Sequence, residues 1–180
     1  MNSPPRILIA CIGNIFLGDD AFGVRVAERL GPHQFPENVR CVDFGIRGID
    51  LTYALLDGCD IAILVDAAPR GERPGTLYVM EPKLDYDENA SAAGVLEGHS
   101  MQPVKVLQQV RAMGGQVRRV LLLGCEPTPL DSDQEMSDQL SPPVAQAIEP
   151  AIEMLQSLVS RLCADPTTKE VRHAFIESVP

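Results

Sequence analysis

Three kinds of sequence feature are missing, and each absence removes a class of function. Lys and Arg total 15 against 25 Asp and Glu, a net charge of −10, and the basic residues are scattered without forming a stripe. Nucleic-acid binding draws on clustered cations that neutralise phosphates, so a nucleic-acid partner is not expected. No window approaches the ~18 consecutive apolar residues that a membrane-spanning helix needs. The apolar run near the start, Ile7 to Ile12, is too short for the core of a secretory signal, so a cytoplasmic protein with no membrane partner is expected. The familiar phosphate and hydrolase signatures are missing as well: no GxGxxG, no GxxxxGK[ST], no GxSxG and no HExxH.

Cysteine is present but unpatterned. Cys11, Cys41, Cys59, Cys125 and Cys163 make an odd number, with no CxxC spacing. Cys11, Cys41 and Cys125 lie in apolar runs, where a reduced thiol packs as a small hydrophobe. A reducing compartment fits this usage better than a disulfide framework.

Apolar residues make up 45% of the 180 positions, enough for one full core. Short apolar runs at 6–12, 60–65 and 119–123 read as strands buried on both faces, and 39–44 reads as a further strand. Between them, helical spacing predicts helices over 20–30, 48–56, 103–113 and 143–162, the last kinked at Pro150. The strand at 76–80 follows its predecessor by about ten residues with no helical pattern between. A parallel crossover needs a dozen or more, so this strand is expected to be antiparallel, at an edge. The acidic stretch from Lys83 to Gly98 reads as a surface loop. Together these predict a three-layer α/β/α sandwich on a mainly parallel, twisted sheet of about five strands, one of them antiparallel. A single domain over residues 1–164 and a frayed tail over 165–180 complete the expectation, with no repeat or linker.

In open α/β sheets, ligands collect beyond the carboxyl ends of the strands. Read in order, those ends carry Gly13-Asn14 through Asp20, then Asp43-Phe44-Gly45, then Asp66, then Glu126. Asp19 or Asp20 stands where a helix cap would, and capping is an alternative to a chemical role. Asp66 ends a wholly apolar strand, and no helix follows it to be capped. Of the three histidines, His33 falls in a polar turn and His173 in the tail. His99 stands just before the helix at Pro103, where a surface or capping histidine is the plain alternative. Two carboxylates and an imidazole form a mixed donor set that suits a borderline divalent ion such as zinc or nickel, with positions left open. Asp20, Asp66 and His99 are therefore the candidate metal-contacting and catalytic residues.

Five segments then carry a resemblance. Residues 12–24 read Ile-Gly-Asn-Ile-Phe-Leu-Gly-Asp-Asp-Ala-Phe-Gly-Val, and residues 43–51 read Asp-Phe-Gly-Ile-Arg-Gly-Ile-Asp-Leu. Leu64-Val65-Asp66-Ala67-Ala68 and Gly98-His99-Ser100-Met101-Gln102-Pro103 follow. The fifth is Gly124-Cys125-Glu126-Pro127 with Leu140-Ser141-Pro142-Pro143-Val144. In this order, over roughly residues 6–162, the chain resembles the hydrogenase maturation proteases. The resemblance implies an endopeptidase that removes a C-terminal extension from the large-subunit precursor of a nickel–iron hydrogenase after nickel insertion. It implies that Asp20, Asp66 and His99 contact the metal, that the nickel is carried by the precursor, and that the protease is a monomer. It leaves the nucleophile and the general base unnamed, so an aspartyl-type and a metal-dependent peptidase both remain open. Two positions depart from the pattern: many members have Glu at the position of Asp20 and Gly at that of Cys11. Other hydrolases on a similar sheet, peptidyl-tRNA hydrolase-like or aminopeptidase-like, and a non-cleaving assembly chaperone are the alternatives.

Overall fold

The computed structural model describes residues 3–31, 34–82, 103–129 and 137–168. Candidate residue His99, like His33 and His173, lies outside these. The elements run β1 (Ile7–Ile12), α1 (Phe22–Leu30), β2 (Val39–Gly45), α2 (Gly48–Leu56), β3 (Ile61–Ala67), β4 (Leu77–Met80), α3 (Pro103–Ala112), β5 (Arg119–Cys125), α4 (Pro142–Gln146) and α5 (Ile148–Ala164). One five-stranded sheet forms, in the order β2-β1-β3-β5-β4. Its first four strands are parallel, and β4 pairs antiparallel with β5 at the edge. The short connection from β3 to β4 leaves no room for a crossover helix, as its length predicts.

Burial on both faces explains why β1 is apolar throughout and β3 is apolar up to Asp66. Ile7, Ile9 and Cys11 of β1 face a core layer shared with Phe22, Val26 and Leu30 of α1 and with α5. Leu8, Ala10 and Ile12 face the opposite layer, with Leu51 and Leu55 of α2 and Val106, Leu107 and Val110 of α3. Alternate side chains of one strand thus feed two cores, and each fully buried Ile or Leu contributes about 1.5–3 kcal/mol. No helix among the described residues is long and apolar enough to cross a membrane.

Two helix expectations need correction. The first helix starts at Phe22, not Asp20. Gly18–Ala21 form a separate 3-10 turn that holds both Asp19 and Asp20. The last helix is not one rod kinked at Pro150. It breaks at Ala147 into α4 and α5, and Pro150 falls in the first turn of α5. There its missing N–H is one of the donors a helix leaves unbonded anyway, so the ring causes no break.

The placement of α1 depends on one residue. A β-carbon at Gly23 would stand 2.2 Å from the carbonyl oxygens of both Ile12 and Val65. The helix therefore lies directly on the ends of the two central strands, and only hydrogen fits between them. Gly23→Ala should force helix and sheet apart at backbone atoms that cannot swing aside. We predict a loss of about 2–3 kcal/mol, in the upper range for overpacking. Urea unfolding should show it as a lower midpoint at unchanged slope. An unchanged midpoint would mean that α1 does not rest on the strand ends as described.

Candidate active site

The turn after β1 is built around Gly13. Its backbone has φ +151°, and a β-carbon there would lie 2.0 Å from the carbonyl oxygen of Asp20. The chain consequently doubles back until the Gly13 N–H bonds the Gly45 carbonyl at 3.1 Å and the Asn14 N–H bonds the Asp20 carbonyl at 3.2 Å. The same Asn14 N–H lies 3.0 Å from Asp20 Oδ2. Asp20 is half-buried, held in the 3-10 turn by these bonds to its own loop.

Asp66 arrives from the neighbouring strand. It is the next-to-last residue of β3 and 6% exposed, in register with Gly124 of β5. Burial pushes its carboxyl well above the usual carboxylate range, and the negative charge of Asp20 pushes it further the same way. A hydrogen bond from the Ala67 N–H opposes both and is outweighed. Asp20, from the turn after β1, thus lies close enough to Asp66 of β3 for their charges to repel at the carboxyl edge of the sheet. Tyr78 walls the site on the β5 side. Its ring packs over Gly124, and its hydroxyl donates to the Ala68 carbonyl at 2.6 Å.

The other strand-end acids have different work. Asp19, 8% exposed, accepts the Thr128 N–H at 2.8 Å, the Ser141 N–H at 2.6 Å and the Ser141 hydroxyl at 2.8 Å. It ties the 3-10 turn to the start of α4 and caps neither its own turn nor α1, whose cap position is Ala21. Glu126 accepts the backbone N–H groups of Arg70 and Gly71 at 2.6 and 3.2 Å, fixing the loop after β3. Asp43 is exposed at the end of β2. Sequence alone could not sort these acids, because the partners of Asp19 lie more than a hundred residues away.

A thiol nucleophile is not favoured here. Burial pushes Cys125 up to about 12 and Cys59 to about 11. Cys11 is raised by sharing its hydrogen with Cys41, whose sulfur is 3.9 Å away, and by burial. Such thiols stay protonated at neutral pH and attack poorly. Among the described residues no three potential metal ligands converge. The pair Asp20 and Asp66 supplies two oxygen donors of the kind a divalent ion accepts.

The raised carboxyl of Asp66 has a signed consequence. A folded-state pKa above the unfolded value of ~3.9 means the native protein holds that proton more tightly. The stability it contributes is full below pH ~3.9 and is lost as pH rises through the interval up to the folded value, at about 1.4 kcal/mol per pH unit. Asp66→Asn lacks this slope. We predict that the metal-free variant melts above wild type at pH 7.5, with the gap closing toward pH 4. Parallel melting curves across that range would show no such gap if Asp66 were solvated.

Comparison with known proteins places this geometry in a family. The hydrogenase maturation protease family model matches residues 24–158. The hydrogenase expression/formation protein HupD of Rhodobacter capsulatus is 35% identical over 151 residues, 83% of this chain and 69% of that protein. The hydrogenase 2 maturation protease of Escherichia coli is 29% identical, over 93% of this chain and 99% of its own. Among solved structures, the hydrogenase maturating endopeptidase HybD from E. coli superposes with a TM-score of 0.67 at 27% identity, covering 87% of this chain and 93% of that one. With the matching fold and relatives of this kind across most of its length, the chain belongs to the hydrogenase maturation protease family and is a peptidase.

Proposed function

We propose that this protein removes a C-terminal extension from the large-subunit precursor of a nickel–iron hydrogenase after nickel insertion, reading the nickel through Asp20, Asp66 and His99. The observation that carries the proposal is the position of Asp66. Asp19 and Glu126 are buried acids whose oxygens are engaged by backbone donors that hold loops in place. Asp66 is equally buried, beside a second acid, and no such loop-holding role accounts for it. Burying an acid in that way is costly unless a proton or a cation compensates.

The route to His99 is short. β5 runs parallel to β3 and follows α3 after a short connection, so α3 ends near the amino edge of the sheet and begins near the carboxyl edge. His99 precedes Pro103 by four positions, which allows a reach of up to ~14 Å from that first turn. That span is compatible with an imidazole joining the two carboxylates. The metal is cargo of the precursor in this reading, and the protein recognises it with two oxygens and one nitrogen.

An apolar rim supports a protein substrate. Ile15, Phe16 and Leu17 in the loop after β1, and Ile46, Ile49 and Tyr53 after β2, are exposed by 38–64%. The first three precede Asp20 in its own loop and the others follow the neighbouring strand, and exposed apolar residues grouped in this way mark sites of protein contact.

The deciding experiment incubates the purified protein with nickel-loaded and with nickel-free precursor and follows precursor mass. A shortened precursor is expected only from the loaded sample. Cleavage of both would remove the nickel-reading role, and binding without cleavage would favour an assembly chaperone. In the same assay Asp66→Ala should abolish processing while leaving the protein folded.

The remaining site residues separate by charge. Asp20→Asn keeps an oxygen for the Asn14 N–H but loses the charge, whereas Asp20→Glu keeps the charge with one more methylene. Glu should process the precursor and Asn should not. Wild-type turnover by Asn would reduce Asp20 to a turn-forming role. His99→Gln should also lose processing, with His33→Gln and His173→Gln as unaffected controls. Normal turnover by His99→Gln would exclude its imidazole.

A further inference from the structure

The turn that carries Asp20 contains one polar group that folding of the turn does not use. Asn14, half-buried, directly follows Gly13 at the end of β1. Its backbone N–H lies 3.0 Å from Asp20 Oδ2, and its side-chain Oδ1 accepts the Phe16 N–H at 3.0 Å. Because the Phe16 N–H requires an acceptor, the amide oxygen must take that side, and the amide plane is fixed by it. The Nδ2 group donates to no described residue. Asn14 itself is half-buried, not sealed in the core. A turn of this type needs only the side-chain oxygen, which Asp or Ser also supplies. Among the described residues the amide hydrogens hold no part of the fold, and they belong to the residue whose backbone N–H meets Asp20.

We propose that Asn14 is a catalytic residue whose Nδ2 donates a hydrogen bond to the scissile carbonyl oxygen of the precursor. The inference rests on the reading of Asp20 and Asp66 as the reaction centre. In hydrolysis, a water oxygen bonds to the carbonyl carbon and gives one proton to a carboxylate of the pair. The C=O π electrons move onto the carbonyl oxygen, where the Asn14 amide meets the developing charge. Collapse restores C=O and breaks the C–N bond. The proton returns to the departing nitrogen, leaving a new carboxyl end on the subunit and a free amine on the released peptide. A donor already fixed by the Phe16 bond requires no reorganisation during this step, which makes such groups effective.

The test compares kcat and KM of Asn14→Asp and Asn14→Ser on nickel-loaded precursor, with melting temperatures as a check on the fold. Both variants keep an oxygen for the Phe16 N–H, and Ser adds no charge. The serine hydroxyl is one bond shorter in reach than the amide nitrogen. Loss of one oxyanion donor lowers kcat by about 10²–10³-fold. We expect that loss in both variants, with KM within about twofold of wild type and melting temperature nearly unchanged. If Asn14 only shapes the turn, Asn14→Asp and Asn14→Ser should retain kcat within about threefold, and the proposal falls. Asp66→Ala in parallel separates the two readings. Inactive Asp66→Ala with normal Asn14 variants overturns the role of Asn14 alone, whereas active Asp66→Ala overturns the reaction centre and this inference with it.

Discussion

Burying one carboxylate beside another is the constraint on which the rest of this structure depends. Asp66 is almost fully removed from water at the end of an apolar strand, and Asp20 adds a like charge next to it. Desolvation and repulsion both disfavour the ionised pair. A chain free to relax would turn one acid out to solvent. Here the backbone forbids it. Gly13 lets the turn close until the Asp20 carbonyl meets the strand end, and Gly23 lets α1 press against β1 and β3. A proton or a cation placed at the acids would relieve that cost.

The supporting acids show how the geometry is kept. Asp19, adjacent in sequence to Asp20, spends both oxygens on Thr128 and Ser141 and so anchors the 3-10 turn from behind. A parallel bridge between Leu17 and Ser137 ties the same loop a second time. Glu126 does the equivalent for the loop after β3. Of the two neighbouring acids, Asp19 is tied to distant segments, whereas Asp20 accepts the Asn14 N–H of its own loop and lies beside Asp66.

Much of the fold was legible along the chain. The apolar runs of β1, β3 and β5 could only be strands covered on both faces, and the gap before β4 was too short for a parallel crossover. The motif segments pointed to the family before any coordinates. The ends of helices were less legible. Asp20 lies in a 3-10 turn ahead of α1, and the chain breaks at Ala147 rather than at Pro150. Local sequence marks where a helix is permitted, but packing of α4 and α5 against the sheet decides where one stops.

The division between sequence and structure follows the range of the forces involved. Periodicity, the lengths of connections and the chemistry of each side chain are local, so strand and helix identity, fold class and the short roster of acids at strand ends were set by the sequence alone. Which acid pairs with which is a long-range matter. Asp19 meets Ser141 across 122 positions and Asp66 meets Asp20 across two strands, and no pattern along the chain encodes those distances. Only the closed tertiary structure could separate Asp19, tied to Thr128 and Ser141, from Asp20 and Asp66, because desolvation and mutual repulsion exist only once the fold has brought the carboxylates to one edge.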